Sequence, residues 1–256
     1  RGLGDVYKRQ EVHHAHKGTK LYNAIEGFPA EYILGLTATI EKKEVYPLPI
    51  IYRKTYEDLR KYIPNVDFFV VITLPNADFM MRYRSLTNGI KEALRVLESP
   101  NASEKDIREA EKMYKQLVGR RFTLVSMYSK VIENTVRVAA ATEGKTLIFT
   151  QRIEAIKVIA RLLEEIYHKK VIPILSSEDI YRLKRENWEI IIAAKRLGEG
   201  VDLPEVDNII LSSYPAALRT LIQNIGRGMR GGPNKLLNIF AIVVRDTYTV
   251  RAIVSL

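Results

Sequence analysis

The stretch Lys145-Thr146-Leu147-Ile148-Phe149-Thr150-Gln151-Arg152 decides the fold class, because an apolar run leads directly into polar side chains. The residues that follow, Ile153 to Tyr167, carry apolar side chains at helical spacing. Together the two segments predict a strand followed by an amphipathic helix. Such an alternation of strand and helix is typical of α/β sheets.

A second strand is predicted at Glu189-Ile190-Ile191-Ile192-Ala193-Ala194, which has the length and the β-branched content of a buried strand. It leads into Leu197-Gly198-Glu199-Gly200-Val201-Asp202-Leu203-Pro204. Gly200 and Asp202 therefore follow the carboxyl end of a strand, where ligands bind in parallel α/β sheets. We expect a parallel sheet with helices on both faces.

The third informative segment is Gln223-Asn224-Ile225-Gly226-Arg227-Gly228-Met229-Arg230, with the spacing Q-x-x-G-R-x-x-R. If a helix begins here, Arg227 and Arg230 share one face. Two guanidinium groups so placed suit a triphosphate, because their planar donors stay charged. A solvated basic turn explains the same residues equally well, and the segment alone leaves both interpretations open.

In this order the three segments resemble the second RecA-like lobe of superfamily 2 helicases and translocases. Motif IV would lie at Phe149 to Arg152, motif V at Gly198 to Pro204 and motif VI at Gln223 to Arg230. Upstream, Glu11-Val12-His13-His14-Ala15 resembles the end of the Asp-Glu-x-His motif II, and Leu36-Thr37-Ala38-Thr39 resembles the Thr-Ala-Thr motif III. The motifs are closest to the excision-repair XPB and restriction-translocase type.

The resemblance implies a RecA-like second lobe at 141–256, preceded by a connecting strand and helical segment at 59–140. Residues 11–58 would be the end of a first RecA-like lobe, most of which this chain lacks. Residues 1–10 show neither strand nor helix patterning and read as a non-native leader. We also expect the strand Asp67 to Leu74 to join the second lobe's sheet.

Roles for individual residues follow from the resemblance alone. Arg227 and Arg230 would contact the γ-phosphate of ATP as arginine fingers, with Gln223 positioning them or the attacking water. Gly200 and Asp202 would contact the nucleotide, and Glu11 would orient water. The remaining implied roles are coupling between the lobes, for His14, Thr37 and Thr39, and nucleic-acid binding, for Thr150, Gln151 and Arg152.

Two positions depart from the family pattern. Gln10 stands where the family has the Asp that holds Mg²⁺, and no G-x-x-x-x-G-K-[ST] loop is present. Ala194 replaces a family Ser or Thr near motif V, so a hydroxyl contact to phosphate is missing there. We therefore expect the intact parent to use ATP and Mg²⁺ as an ATP hydrolase, and the chain by itself to be inactive.

Composition limits the alternatives. The chain has 256 residues, 46% of them hydrophobic, a formal charge of +10 and no cysteine. The charge favours a polyanionic partner, and the resemblance favours DNA over RNA. The absence of cysteine excludes a disulfide framework and fits a cytoplasmic protein. No apolar run is long enough for a membrane span, so we expect no membrane partner. A non-catalytic RecA-like lobe that binds nucleic acid or a protein partner remains the alternative function.

Other patterns lead to less specific predictions. Residues 77–140 carry helical periodicity broken at Ser99 to Ser103, where Ser103 and Asp106 form a helix start. Gly144-Lys145-Thr146 imitates the end of a phosphate loop, but it precedes its strand, so a plain turn is expected. The aromatic residues of the helical segment are interpreted as core anchors, with base stacking as the alternative: Tyr83, Tyr114, Phe122 and Tyr128. No metal site is expected from His13, His14 and His16.

Overall fold

The computed structural model describes residues 6–10, 32–36, 64–176, 178–183, 185–194, 205–212 and 234–250. The chain divides into two compact units, Arg1–Asp58 and Leu59–Leu256. Each unit is described by itself.

The first unit contains two paired strands, β1 (Val6–Gln10) and β2 (Tyr32–Leu36). They run parallel, with Val6 opposite Tyr32 and Gln10 opposite Leu36. The prediction that residues 1–10 contain no strand is therefore wrong for Val6–Gln10. The intrinsic β-propensity of this stretch is weak, but it pairs with the apolar strand Tyr32–Leu36. Strand formation depends on such context more than on intrinsic preference.

The second unit is built on a six-stranded sheet in which every pair is parallel. Its strands are β3 (Asn65–Thr73), β4 (Thr146–Thr150), β5 (Val171–Ile174), β6 (Ile190–Ala194), β7 (Asn208–Ser212) and β8 (Leu236–Val244). The order across the sheet is β3-β8-β7-β4-β6-β5. The predicted α/β class is confirmed, and so is the prediction that the strand near Asp67 joins this sheet.

Five helices accompany the described strands. They are α1 (Ala77–Leu97), α2 (Glu104–Ser126), α3 (Ser129–Ala141), α4 (Ile153–Tyr167) and α5 (Glu178–Arg182). The helix predicted after Arg152 has the bounds that its apolar spacing indicates. The residues around Met127 and Tyr128 end α2 and begin α3, a break that periodicity alone did not reveal.

The buried side chains form two clusters, one on each face of the sheet. On one face Ile148, Ile192 and Ile210 pack with α3 and α4 in one core cluster. On the other face Leu147, Phe149 and Ile191 pack with Trp188 in a second cluster. Odd and even positions of β4 thus face different layers, as the two-residue period of a strand requires, and β4 is buried over its whole length.

Helices α1 and α2 form an antiparallel pair that we call the helical hairpin. The Ser103 hydroxyl accepts from the Asp106 backbone N–H, and the Asp106 carboxylate accepts from Ser103, which makes a capping box at the start of α2. These hydrogen bonds lower the pKa of Asp106. The helix start predicted at Ser103 and Asp106 is confirmed.

Candidate functional site at the carboxyl edge of the sheet

Strands β6, β4 and β7 lie side by side, and their carboxyl ends meet at one edge. Thr150 is opposite Ala194 of β6, and Phe149 is opposite Leu211 of β7. The chain leaves β4 towards β5 on one side, and it leaves β7 towards β8 on the other. The ends of β4 and β7 therefore flank a topological switch point, which is where open α/β sheets bind ligands.

Thr150 ends β4 with its side chain fully buried, at 0% exposure. Its hydroxyl has no hydrogen-bond partner among the described residues. Ala194, the residue that replaces a family Ser or Thr, is its neighbour across the ladder. In this arrangement the Thr150 hydroxyl does not reach a ligand at the surface, so any contact with a phosphate would have to come from the residues after it.

Arg152 is half-buried and is fixed by a contact across 33 positions of the chain. Its Nη2 donates a hydrogen bond of 2.7 Å to the carbonyl oxygen of Gly119 in α2. The same oxygen accepts from the Thr123 hydroxyl at 3.0 Å. A guanidinium has five N–H donors, and the others on Arg152 have no acceptor among the described residues. Arg152 thus combines a structural bond with further N–H donors that no acceptor occupies within the described part of the chain.

The amino end of α4 lies at the same edge. Arg152 is its N-cap residue, with extended backbone and no side-chain capping bond. The first-turn N–H groups therefore receive no side-chain oxygen, and such an end attracts anions. Glu154 in the first turn carries a negative charge that works against a bound anion.

The Gly144-Lys145-Thr146 segment lies at the opposite, amino edge of the sheet. Gly144 has a φ of 79°, and the Lys145 N–H donates to the Asp207 carboxylate at 2.7 Å. A carboxylate therefore occupies the place where a phosphate would need the amide. The prediction of a plain turn into a strand is confirmed.

The aromatic residues of the helical segment act mainly as anchors. Tyr83 is only 7% exposed, and its hydroxyl accepts from the Tyr248 N–H at 2.8 Å. Phe122 packs edge-on against Tyr248, and Tyr128 packs against Phe79 with ring centroids 4.4 Å apart. These contacts support the anchor interpretation for the three rings. Tyr114 is half-buried.

Most of the predicted site residues lie outside the described part of the chain: Glu11, His14, Thr37, Thr39, Gly200, Asp202, Gln223, Arg227 and Arg230. Their neighbours in sequence are described in part. Glu11 and Thr37 directly follow Gln10 and Leu36, which are partners in the β1–β2 ladder. The two candidate motifs of the first unit thus begin from the ends of adjacent strands.

No group of three or more histidine or acidic side chains among the described residues could hold a metal ion. No described helix is long and apolar enough to cross a membrane.

Comparison with known proteins places these features in a family context. Residues 127–232 match the helicase conserved C-terminal domain. The chain is similar to the DNA 3'-5' translocase XPB2 of Sulfurisphaera tokodaii, with 27% identity over 265 residues, which cover 94% of this chain and 59% of that protein. The chain thus spans less than two thirds of the length of this curated relative.

The fold is also that of a solved helicase domain. The crystal structure of the Pyrococcus furiosus Hef helicase domain matches with a TM-score of 0.57 and 16% identity, over 98% of this chain and 73% of that one. The expected RecA-like architecture is confirmed at the level of the fold.

Proposed function

We propose that this chain, which carries the C-terminal domain of the superfamily 2 helicases and translocases, is the C-terminal part of an ATP-dependent, nucleic-acid-directed motor protein. One observation carries the proposal. The segments that resemble motifs V, IV and VI follow the carboxyl ends of β6, β4 and β7, which are neighbours in the sheet. Residues from three separate parts of the chain can therefore act on ligands at one edge.

On the nucleotide side, ATP with Mg²⁺ would supply the phosphoryl group that is transferred to water. Asp202 would accept a hydrogen bond from the ribose, and Gly200 would let the backbone approach the nucleotide closely. Arg227 and Arg230 would brace the γ-phosphate, whose charge grows in the transition state. Gln223 would hold those arginines or the water in place, and Glu11 would orient the water.

Coupling between nucleotide and strand would pass through the first unit, at His14, Thr37 and Thr39. We propose that this requires closure of a complete first lobe, because the finger and positioning roles act only when both sides of the nucleotide are held. The chain has no G-x-x-x-x-G-K-[ST] loop, so we expect it not to hydrolyse ATP by itself.

On the nucleic-acid side, Gln151, Arg152 and the amino end of α4 would bind phosphates of the strand, with DNA preferred over RNA. The support is the set of donors at that edge: the N–H groups of Arg152 that find no acceptor among the described residues, and the first turn of α4, which its N-cap side chain does not cap. Phosphate contacts of this kind position a strand without reading its sequence. The alternative of a non-catalytic binding lobe is not favoured, since the similar proteins are a translocase and a helicase domain.

Fluorescence anisotropy with a labelled oligonucleotide over a salt series tests this proposal. We expect the affinity to fall steeply as salt rises, because binding releases counterions. Arg152→Ala should weaken binding and reduce the salt slope by about 0.7 to 0.9, the loss of one phosphate contact. Arg137→Ala is the matched control, because it removes an exposed arginine of α3 that is paired with Glu133.

A flat salt response of the unaltered chain would refute the phosphate track. Equal effects of Arg152→Ala and Arg137→Ala would show that only net charge matters, and would remove Arg152 from the track.

A further inference from the structure

Strand β3 lies at one end of the sheet order, and among the described residues it has a strand neighbour on one side only, which is β8. It is nine residues long and contains neither proline nor lysine, and Asp67 is its one charged residue. Proteins usually protect the last strand of a sheet with a proline, a lysine or a covering element, because an exposed strand edge pairs with other chains. We call the side of β3 that faces away from β8 the open edge.

The hydrogen bonds to β8 show which main-chain groups of β3 point to the open edge. The Asn65 N–H donates to the Lys235 carbonyl at 2.9 Å, and the Thr73 carbonyl accepts from the Arg245 N–H at 3.0 Å. The register between these two bonds is unbroken. Successive residues of a strand turn their N–H and C=O groups to opposite sides, so the odd-numbered residues of β3 bond to β8. The N–H and C=O groups of the even-numbered residues point to the open edge: Val66, Phe68, Val70 and Ile72.

The side chains of the same residues form an exposed apolar row. Phe68, Val70 and Ile72 are between 41% and 60% exposed. Their partners on β8 point to the same face of the sheet and are buried: Ile239, Ala241 and Val243. This face of the sheet is therefore covered as far as β8 and uncovered at β3. The open edge thus combines unused main-chain donors and acceptors with apolar side chains, which are the two features that an added β-strand binds.

We propose that the open edge of β3 binds a second copy of this chain, with the two β3 strands antiparallel across a two-fold axis at Val70. Two six-stranded sheets would then join into one. In this register Val70 faces Val70 of the second copy, and Phe68 faces Ile72 of the second copy. Both pairs are made of residues whose N–H and C=O groups point to the open edge, so their main-chain bonds can form. The inference does not depend on the proposed function, since β8 and β7 lie between β3 and β4.

A second copy fits this edge because the strand is complementary to itself. An aromatic side chain opposite a β-branched one, as in the pairs of Phe68 with Ile72, is a favourable cross-strand pair. Asp67 would face Thr73 of the second copy, so no like charges meet across the strands. The chain as a whole carries a formal charge of +10, which repels another copy. The sequence of β3 has no cation, so two copies can approach each other along this strand.

The exposed area indicates how stable such a dimer would be. The apolar side chains at the edge leave on the order of 400 Å² uncovered in each copy, the size of a patch that is often functional. They are Phe68, Phe69, Val70, Ile72 and Leu74. Two copies would bury about 800 Å² of this surface and both strand edges in addition, which approaches the lower limit of about 1,200 Å² for specific interfaces. We therefore expect a reversible dimer with a Kd on the order of 10 to 100 µM.

Sedimentation equilibrium of the full chain tests the proposal, over protein concentrations about tenfold below and above the expected Kd. We expect Val70→Lys to raise the Kd by about tenfold or more, because two lysines would face each other on the axis, and edge lysines prevent pairing. Ile166→Lys is the matched control. Ile166 of α4 is similarly exposed, so this variant adds the same charge away from β3 and should leave the Kd nearly unchanged. A urea titration of each variant shows whether it is folded.

The salt dependence separates this contact from nucleic-acid binding. Higher salt should strengthen the dimer, because it screens the repulsion between two positively charged copies. Binding of an oligonucleotide should weaken under the same conditions.

Cross-linking tests the position of the two-fold axis. The chain has no cysteine, so Val70→Cys introduces a single thiol. Hydrogen-bonded residues opposite each other in antiparallel strands have Cα atoms about 5.5 Å apart, which lies within the range that a disulfide spans. Mild oxidation should therefore link Val70→Cys into a covalent dimer about tenfold faster than the control Ile166→Cys, whose thiols meet only by random collision.

Three results would overturn the inference. An unaltered chain that stays monomeric over the whole concentration range at high salt would leave the open edge to a strand of a different protein. A dimer that Val70→Lys and Ile166→Lys affect equally would have its interface elsewhere. Equal rates of cross-linking for Val70→Cys and Ile166→Cys would reject the two-fold axis at Val70. None of these results bears on the nucleic-acid track, which the salt series with an oligonucleotide tests separately.

Discussion

Replacement of Gly144 by alanine should destabilise the second unit, because two independent costs coincide at this residue. Gly144 has a φ of 79°, a conformation that costs an L-residue about 1 to 2 kcal/mol. A Cβ atom built there would lie 2.5 Å from Oδ2 and 3.0 Å from Cγ of Asp207. The carboxylate would have to move.

Asp207 cannot move as a whole, because its backbone is tied to the same turn. The Asp207 N–H donates to the Lys145 carbonyl at 2.8 Å, and the Asn208 side chain donates to the Glu143 carbonyl at 2.7 Å. The carboxylate would therefore rotate away and lose its bond to the Lys145 N–H, at a cost of about 1 to 2 kcal/mol. Alanine also reduces the conformational entropy of the unfolded chain, which stabilises the folded state by about 0.4 to 1 kcal/mol. The net loss should be about 1 to 3.5 kcal/mol.

Urea denaturation followed by tryptophan fluorescence measures this loss. Trp188 is the single tryptophan and is 4% exposed, with the Lys145 Nζ 4.5 Å from its ring centre, so it reports on this region. Gly89→Ala is the control. It lies within α1, and its added Cβ would meet only the flexible end of Leu117, so helix propensity should largely offset the contact.

The double variant Gly144→Ala with Asp207→Ala tests the cause. Without the carboxylate the steric conflict is gone. The stability losses of the two single variants should therefore add up to more than the loss of the double variant, by at least about 0.5 kcal/mol. Additive effects, or a Gly144→Ala protein as stable as the parent, would refute the reasoning.

Two further predictions concern the stability of the second unit. Leu163→Ala should cost about 2 to 5 kcal/mol in a urea titration, because Leu163 is fully buried under the sheet, whereas Ile166→Ala should cost little, because Ile166 is 59% exposed. The pKa of Glu189 is lowered by the Lys170 N–H, against burial and with the help of Lys169. Because the pKa of Glu189 is lower in the folded than in the unfolded protein, its carboxylate stabilises the fold at pH values above the ordinary pKa of 4.5. This stabilisation is lost as the pH falls through the folded pKa. Acid should therefore destabilise the parent more than Glu189→Gln between about pH 5 and 3. Parallel stability curves for the two proteins would contradict this prediction.

Local pattern predicts the regular elements of this fold well. The strand from Thr146, the helix from Ile153 and the strand from Ile190 have the expected positions, because burial on a parallel sheet imposes a continuous apolar run and a helical period. The capping box at Ser103 is equally local, since its two residues are three positions apart.

Contacts between distant residues could not be predicted in the same way. Arg152 meets Gly119, and Tyr83 meets Tyr248 across 165 positions, and neither pairing leaves a periodic signal. The strand Val6–Gln10 was missed for the same reason, since its partner strand begins at Tyr32. Burial of the Thr150 hydroxyl also depends on which face of β4 the helices cover. Motif resemblance located the edge, but packing decides which of its side chains can reach a ligand.

The distribution of charge pairs, more than the net charge of +10, indicates where the second unit would bind an anion. Exposed arginines and lysines are compensated by water and mobile ions, and an exposed pair adds little. Half-buried cations lack that compensation. Lys169, Arg182 and Lys235 are half-buried, and each has a carboxylate within 4.0 Å.

Arg121 and Arg152 are also half-buried, yet they have no such carboxylate among the described residues. Arg152 follows the carboxyl end of β4 at the start of α4, and Arg121 lies on α2, two residues after the Gly119 whose carbonyl oxygen accepts from Arg152. Selection for stability alone would favour a carboxylate or an apolar residue at these positions, as at the other three. Arg152 follows β4 at the edge where parallel sheets bind ligands, so a phosphate of the proposed nucleic-acid track is the partner that would bring a negative charge to it.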